Sequence, residues 1–440
     1  EQRPATAEEQ TVLARWSSWG AVAEVFDDTK EAWEKERAEL RELLSEPEWE
    51  AAARTTMNAH YTDPEIVREV WRALRDLGFE SGRVLEPGSG SGTFIGLAPD
   101  GADTTGVELD PMTAAISQAL YPQATIRSES FGETRLPEGS FDVAVGNVPY
   151  GKIVLHDRTH NPARYAIHNH FIIKSLRLLR PGGLMAVLTS YYTMDAQNPG
   201  PRREMNALAD LVGAVRLPSG AHRRIAGTEA VTDLLIFRRR EDGEPPRDLA
   251  WETVTQLDTD GEPLRLNQYF DEHPELVLGE IGMAHGLYSA ISLTVTGEPE
   301  KTAEQLRGAL EQVTFQARRN GLTLTAATTE VAARRAAFVP SAPEQWNGSI
   351  IAHDTGSFGV VADGAIVRFD VPKTRAVEMR ALLRLRDQAS ALLAMEAHSL
   401  DDTPELDQTR ESLRRDYQKY LGKYGPLNRF ERRLTGKDDA

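Results

Sequence analysis

The sequence predicts an α/β fold: a mixed, twisted seven-stranded sheet, a helical N-terminal segment and a smaller α+β C-terminal region. Three observations carry this. Short apolar runs at 83–86, 104–108, 124–127, 141–146, 184–189, 211–216 and 231–237 alternate with helical patterns. A glycine-rich turn, Glu86-Pro87-Gly88-Ser89-Gly90-Ser91-Gly92, follows the first run, and Asn147-Val148-Pro149-Tyr150 follows the fourth. The 440 residues predict several domains. We expect a helical segment over 1–58, the sheet domain over 59–242, a small α+β domain over 243–372 and a helical hairpin over 373–440.

In chain order, Asp28 to Leu44 reads as a charged helix. Thr62 or Asp63 is a suitable N-cap for the helix that follows, with Pro64 at its first position. Beyond the seven strands, the polar stretch from Gly151 to Asn169 predicts a loop or lid. A Glu-Asp-Gly-Glu-Pro-Pro linker near residue 241 ends the domain. Ser349–Ala352 through Val367 reads as a small antiparallel sheet with an Asp363-Gly364 turn. Residues 374–397 and 404–421 read as two amphipathic helices, with Leu382, Leu383, Leu385, Leu392, Leu393 and Met395 as their seam.

Composition excludes several classes. No apolar run approaches the roughly 20 residues of a membrane span, and the start, Glu1-Gln2-Arg3-Pro4, does not read as a signal peptide. Absence of cysteine removes disulfides, thiolate metal sites and the nucleophile of cytosine-C5 methylation, and fits a cytoplasmic protein. His156, His160, His168 and His170 cluster without metal-ligand spacing and read as loop and surface residues, so no metal is expected. Net charge is −17, from 50 basic and 67 acidic residues, yet residues 202–240 hold eight arginines against four acids. Arg202, Arg203, Arg216, His222, Arg223 and Arg224, with Arg158 in the polar loop, are the candidate phosphate contacts.

The two turns carry the chemistry. Glycines at 88, 90 and 92 remove side chains where backbone must touch a ligand. The second strand ends in Glu108-Leu109-Asp110, where a carboxylate can accept the ribose hydroxyls of a nucleoside cofactor. A nicotinamide dinucleotide is the competing occupant, but it leaves the second turn without a purpose. There, the Asn147 side-chain oxygen and the Val148 carbonyl can each accept one N–H of a planar amine. Pro149 stiffens the turn, and Tyr150 offers a face on which a base can stack. Such a turn holds an exocyclic amine while a methyl group is delivered, by positioning and oriented dipoles rather than by a strong base. S-adenosyl-L-methionine is therefore the expected cofactor. Adenine in DNA is the expected substrate, flipped from a duplex or already single-stranded.

The chain resembles the methyltransferase portion of large helicase–methyltransferase proteins of bacterial plasmids and integrative elements, which serve defence or antirestriction. More widely it is similar to gamma-type N6-adenine DNA methyltransferases. The match runs through Trp16 to Phe26, Asn58-Ala59-His60-Tyr61-Thr62, Leu85 to Gly90, Gly146 to Gly151 and Ile167-His168. It continues through Arg180 to Gly183, Thr189-Ser190, Met194-Asp195, Ala214 to Pro218 and Ala226 to Glu229, covering most of 6–290. It implies a Rossmann-like, class I S-adenosylmethionine-dependent methyltransferase fold and a bacterial cytoplasmic setting. It also implies that His60, Tyr61 and Thr62 meet the methionine end of the cofactor. Glu86, Gly88, Gly90, Gly92, Thr93, Phe94, Glu108 and Leu109 would form the rest of its cradle. Ser130, Phe131, Asn147 and Phe171 would complete it, with Phe171 near the adenine.

Two departures stand out. Relatives place an Asp where Ser130 precedes Phe131, and Pro where Val148 stands. The relatives also continue into a helicase, whereas no G-x-x-x-x-G-K-[ST] occurs here. The chain is thus expected to be a fragment or a stand-alone module, with a helicase or defence-system partner. A protein-glutamine methyltransferase, cytosine-N4 methylation and a catalytically silent DNA-binding module remain the other readings.

Overall fold

A computed structural model describes residues 4–16, 19–55, 62–221, 230–241, 243–257, 264–284, 292–327, 345, 348–362, 365–397 and 403–428. The chain forms two compact units, Glu1–Phe338 and Val339–Ala440.

The first unit is built on the expected mixed seven-stranded sheet. Its strands are β1 (Ser81–Pro87), β2 (Gly101–Glu108), β3 (Thr125–Ser128), β4 (Phe141–Asn147), β5 (Leu179–Ser190), β6 (Ala209–Arg216) and β7 (Thr232–Arg239). Their order is β3-β2-β1-β4-β5-β7-β6. The first five run parallel, and β7 pairs antiparallel with both β5 and β6. This is the strand order and orientation that the resemblance to class I methyltransferases implies.

Strand residues alternate between two hydrophobic layers, as a period of two requires. Val84, Val143, Val145, Leu184 and Ala186 join the layer beneath helix Pro64–Asp76. Leu85, Ala144, Met185 and Val187 join the layer beneath helix Ile167–Leu178. The first of these helices begins as its sequence dictates: Asp63 caps it by accepting from the Glu65 N–H at 2.9 Å, and Pro64 opens it. Its Trp71 is fully buried and donates from the indole to the Phe94 carbonyl at 3.0 Å, a bond that anchors the glycine turn's exit to the core.

The expected breaks after residues 242 and 372 do not coincide with the boundary between units. Helix Thr302–Arg319 places Leu306, Ala309, Leu310 and Val313 in the first hydrophobic layer, and Trp251 and Phe270 fill the second. Residues between 243 and 327 thereby cover apolar surface that the sheet domain alone would expose. The helical N-terminal segment is present as Ala7–Leu13, Glu34–Leu43 and Glu46–Thr55, with 3-10 turns at Trp19–Phe26 and Glu31–Trp33. The rings of Trp16, Trp19, Phe26 and Trp49 follow one another at 4.7, 5.5 and 4.8 Å. Trp16 donates to Thr113 Oγ1 at 3.1 Å, tying the segment to the helix after β2.

In the second unit Ile350–Ala352, Phe358–Ala362 and Ala365–Arg368 form the expected antiparallel sheet. The Asp363-Gly364 turn lies outside the described residues. Helices Lys373–Ala397 and Pro404–Tyr424 pair through Gln388–Asp416 and Tyr420–Glu378 hydrogen bonds at 3.0 and 3.1 Å. Leu383 and Leu385 are buried, whereas Leu393, expected in the seam, is exposed.

Trp71→Ala removes a fully buried ring and its hydrogen bond. Urea denaturation followed by circular dichroism should show a loss of about 3–5 kcal/mol.

Candidate active site

Parallel pairing brings both turns to one edge of the sheet. Leu85 is level with Thr105 on β2 and Ala144 on β4, so β1, β2 and β4 end side by side at their carboxyl termini. The turn after β1 takes a path that only glycine follows without strain: Gly88, Gly90 and Gly92 have φ of 70°, 54° and 85°. A Cβ on Gly88 would come within 3.4 Å of Pro149 Cδ and 3.5 Å of Phe171 Cε1. The glycine turn, the Asn-Val-Pro-Tyr turn and the helix Ile167–Leu178 therefore converge.

Two carboxyls shape the turn. Glu108, at the end of β2, accepts from the Gly90 and Asp110 N–H groups, each at 2.8 Å. Burial pushes its pKa up, against those two bonds. Glu86 is buried, and burial raises its pKa well above the usual carboxylate range, opposed by hydrogen bonds from the Ile95 and Phe94 N–H groups. Its Oε2 is buried without a hydrogen-bond partner. Phe94 serves the site through its backbone, since its ring lies in the core. Thr93 and Ser130 are half-buried, and Leu109 is exposed beyond Glu108.

The second turn is anchored at both ends. The Asn147 amide nitrogen donates to Thr62 Oγ1 at 3.1 Å, which turns the amide oxygen away from Thr62. Val148 is buried, and its N–H donates to the Leu188 carbonyl on β5 at 3.0 Å. Tyr150 is half-buried, and burial raises its phenol pKa. Nearby, Phe131 and Phe171 pack with ring centroids 4.7 Å apart. His60 and Tyr61 lie outside the described residues.

The sequence gives little sign of the charged cluster beneath this wall. Lys174 is fully buried on the helix that carries Phe171. Its ammonium donates to the Phe131 and Thr134 carbonyls at 2.6 and 3.0 Å and to Asp157 at 2.9 Å, and lies 5.0 Å from the Phe131 ring centroid. His170 Nε2 is 3.2 Å from the same carboxylate, and His160 sits between Asp157 and Glu138, both at 3.4 Å. Burial alone would raise the Asp157 pKa, but His160, His170 and Lys174 hold it well below the usual range. Burial opposes the charge on His160, while Asp157 and Glu138 raise its pKa. The signal was a lysine inside the apolar run Phe171-Ile172-Ile173-Lys174.

His160, His168 and His170 are buried rather than on the surface, and burial lowers His168 to about 4. The polar segment after Tyr150 is a loop, but Asp157, His160 and Asn161 pin it into the interior. Among the described residues no group of three or more His, Asp or Glu could hold a metal ion.

The arginines divide. Arg216 is fully buried, bonded to Asp233 at 2.8 and 2.9 Å and to Asp195 at 2.8 Å. Arg202 is buried and donates to the Glu252 and Thr193 carbonyls at 3.1 and 3.3 Å. Neither can face a phosphate, because each satisfies polar groups of the interior. Arg238 and Arg240 are buried as well. Arg203 is exposed, with Glu252 3.4 Å away, and Arg158 is exposed on the loop. His222, Arg223 and Arg224 lie outside the described residues.

No protein-family model matches the chain. Over 209 residues, 46% of its length, it is 30% identical to "Defense against restriction protein B" of Escherichia phage P1, and the match spans only 9% of that protein. Among solved structures it is similar to a class I S-adenosylmethionine-dependent methyltransferase assigned in Listeria monocytogenes, at 16% identity and TM-score 0.37, covering 55% of this chain and 90% of that one. It is also similar to a modification subunit assigned to a type I restriction enzyme of Vibrio vulnificus, at 17% identity and TM-score 0.38, covering 62% and 58%. The fold rests on the strand order of the sheet itself.

Arg216→Ala strands Asp195 and Asp233 in the interior and should cost about 3–5 kcal/mol in chemical denaturation. Asp157→Ala should cost a similar amount, about 3–5 kcal/mol, by leaving the Lys174 ammonium buried without its carboxylate. The pH dependence follows from the same cluster. The Asp157 contribution is present above its unfolded value of 3.8 and is lost as pH falls through the depressed folded value. The His160 contribution is complete below 6.5 and is lost as pH rises through the raised folded value. Denaturation midpoints of the wild type should decline on the alkaline side of 6.5, and His160→Gln should flatten that decline.

Proposed function

We propose that this chain is an S-adenosyl-L-methionine-dependent DNA methyltransferase acting on the exocyclic N6 amine of adenine, in a restriction-modification or antirestriction setting. The observation that carries the reading is the junction of the glycine turn with Asn147. The amide of that residue is oriented by Thr62 beside a turn that only glycine can follow. The sequence similarity to the phage P1 protein supports the setting.

The residues present fit the cofactor. Three positive-φ glycines shape the turn, a Cβ on Gly88 would press on Pro149 and Phe171, and Glu108 stands at the end of β2 with its carboxylate braced by two N–H groups. Glu108 would take the ribose hydroxyls, Thr62 would border the methionine end, and Phe131 and Phe171 would border the adenine. When bound, the cofactor supplies an electrophilic methyl group. Asn147 and the Val148 carbonyl act on the other partner. With the amide nitrogen engaged by Thr62, Oδ1 is the end that meets an amine N–H, and the Val148 carbonyl accepts the second. Both bonds strengthen as the nitrogen becomes tetrahedral, so the turn lowers the barrier by oriented dipoles. Tyr150 gives the flipped base a ring to stack on. Arg158 and Arg203, with Arg223 and Arg224, are proposed as phosphate contacts, and a helicase or other defence protein as partner.

Calorimetry should detect S-adenosylmethionine binding that Glu108→Ala and Gly90→Trp each weaken strongly. In a labelled methyl-transfer assay on DNA, the product should be N6-methyladenine. Asn147→Ala should lower the rate at saturating cofactor by at least about 10²-fold. Tyr150→Phe should be tolerated and Tyr150→Ala should not. Full activity of Asn147→Ala, or label found only in protein glutamine, would overturn the assignment.

A further inference from the structure

The carboxyl edge carries a second aromatic feature beside the catalytic turn. Asn147 is level with Leu188 on β5, and the chain continues through Thr189 and Ser190 into Tyr191 and Tyr192. Those two rings stack at 4.3 Å with an interplanar angle of 28°. Behind them Tyr191 is half-buried, with the Arg216 guanidinium 5.9 Å from its centroid. Arg216 is itself held by Asp195 and Asp233, and it also lies 4.2 Å from the centroid of Phe270. A buried ion triplet thus supports one ring, which supports another, and the last ring is 51% exposed. Ile153 and Val154, on the loop that follows Tyr150, are also exposed, at 41% and 42%.

A lone exposed tyrosine needs no explanation. This one is braced from the core outward, on the edge where a flipped base would enter. Tyr150, half-buried in the turn, suits the extruded base. Tyr192 is four residues beyond the register partner of Asn147 and more exposed, so it suits what the extrusion leaves behind. We propose that Tyr192 is a stacking wedge for double-stranded DNA: its ring packs on the base pair beside the vacated position while the adenine occupies the site. The proposal rests on the adenine-DNA reading above and adds a positioning residue to it. Stacking of an aromatic ring on a base does not depend on sequence. It offsets the unstacking that a duplex must undergo before its base can be methylated, which a single strand has largely undergone already.

The test compares methyl transfer by the full chain to unmethylated plasmid DNA and to the same DNA after heat denaturation. Tyr192→Ala should lower the duplex-to-single-strand rate ratio about ten-fold, on the scale of one lost base–ring stack. Tyr192→Phe should restore the ratio, because the ring and not the hydroxyl does the stacking. An unchanged ratio in Tyr192→Ala, whether both rates fall together or neither falls, overturns the wedge. A wild type that methylates only the denatured DNA also overturns it, while leaving the adenine reading intact. A wild type that methylates neither form overturns the reading itself, and the wedge with it.

Discussion

Parallel pairing of β1 with β2 and β4 is the constraint on which the site depends. Parallel strands end at a common edge, so residues far apart in sequence meet without any direct sequence relation. Glu108, the glycine turn and Asn147 become neighbours because Leu85 pairs with Thr105 on one side and Ala144 on the other. A register slip of one residue would exchange the two hydrophobic layers and turn Asn147 to the wrong face. The alternation of Val143, Ala144 and Val145 between those layers opposes such a slip.

Buried charge is the second organising feature. Lys174 gathers the Phe131 and Thr134 carbonyls and Asp157 around one ammonium, joining the Phe131 wall, the Phe171 helix and the polar loop. Arg216 does the same for β6, β7 and the segment after β5 through Asp233 and Asp195. Such groups add little net stability over apolar replacements, but leaving one partner alone is costly. Their effect is to hold particular backbone segments in one arrangement around the site. The acidic chain spends several of its arginines internally, so composition overstates how many can meet a phosphate.

Legibility in the sequence tracks the range of the interaction. All seven strands of the sheet were readable: most are buried and announce themselves by a local apolar run, whereas the edge strand β3 has no buried residue and was read from its place in the alternation. The glycine turn was readable because φ values near 54–85° exclude most side chains. Asp63 and Pro64 were readable as a helix start because capping is satisfied within a few residues. His160, His168, His170, Arg202 and Arg216 were misread, because a titratable side chain in a polar-looking segment is indistinguishable from a solvated one until its partners are known. The polar stretch near 242 gave no sign that Trp251, Phe270 and helix Thr302–Arg319 beyond it return to the layers of the sheet, because a linker's composition does not say where the following chain packs.

The sequence by itself determined the strand set, the two turns at strand ends and the chemistry those residue types permit, since each depends on neighbours within about ten residues. Only the tertiary structure decided which carboxylates and cations pair in the interior. It alone showed that Thr62 orients the Asn147 amide across 85 residues, and that helix Thr302–Arg319 completes the sheet domain. Those contacts join residues whose separation along the chain carries no period. Their partners are selected by shape and desolvation once the sheet has formed.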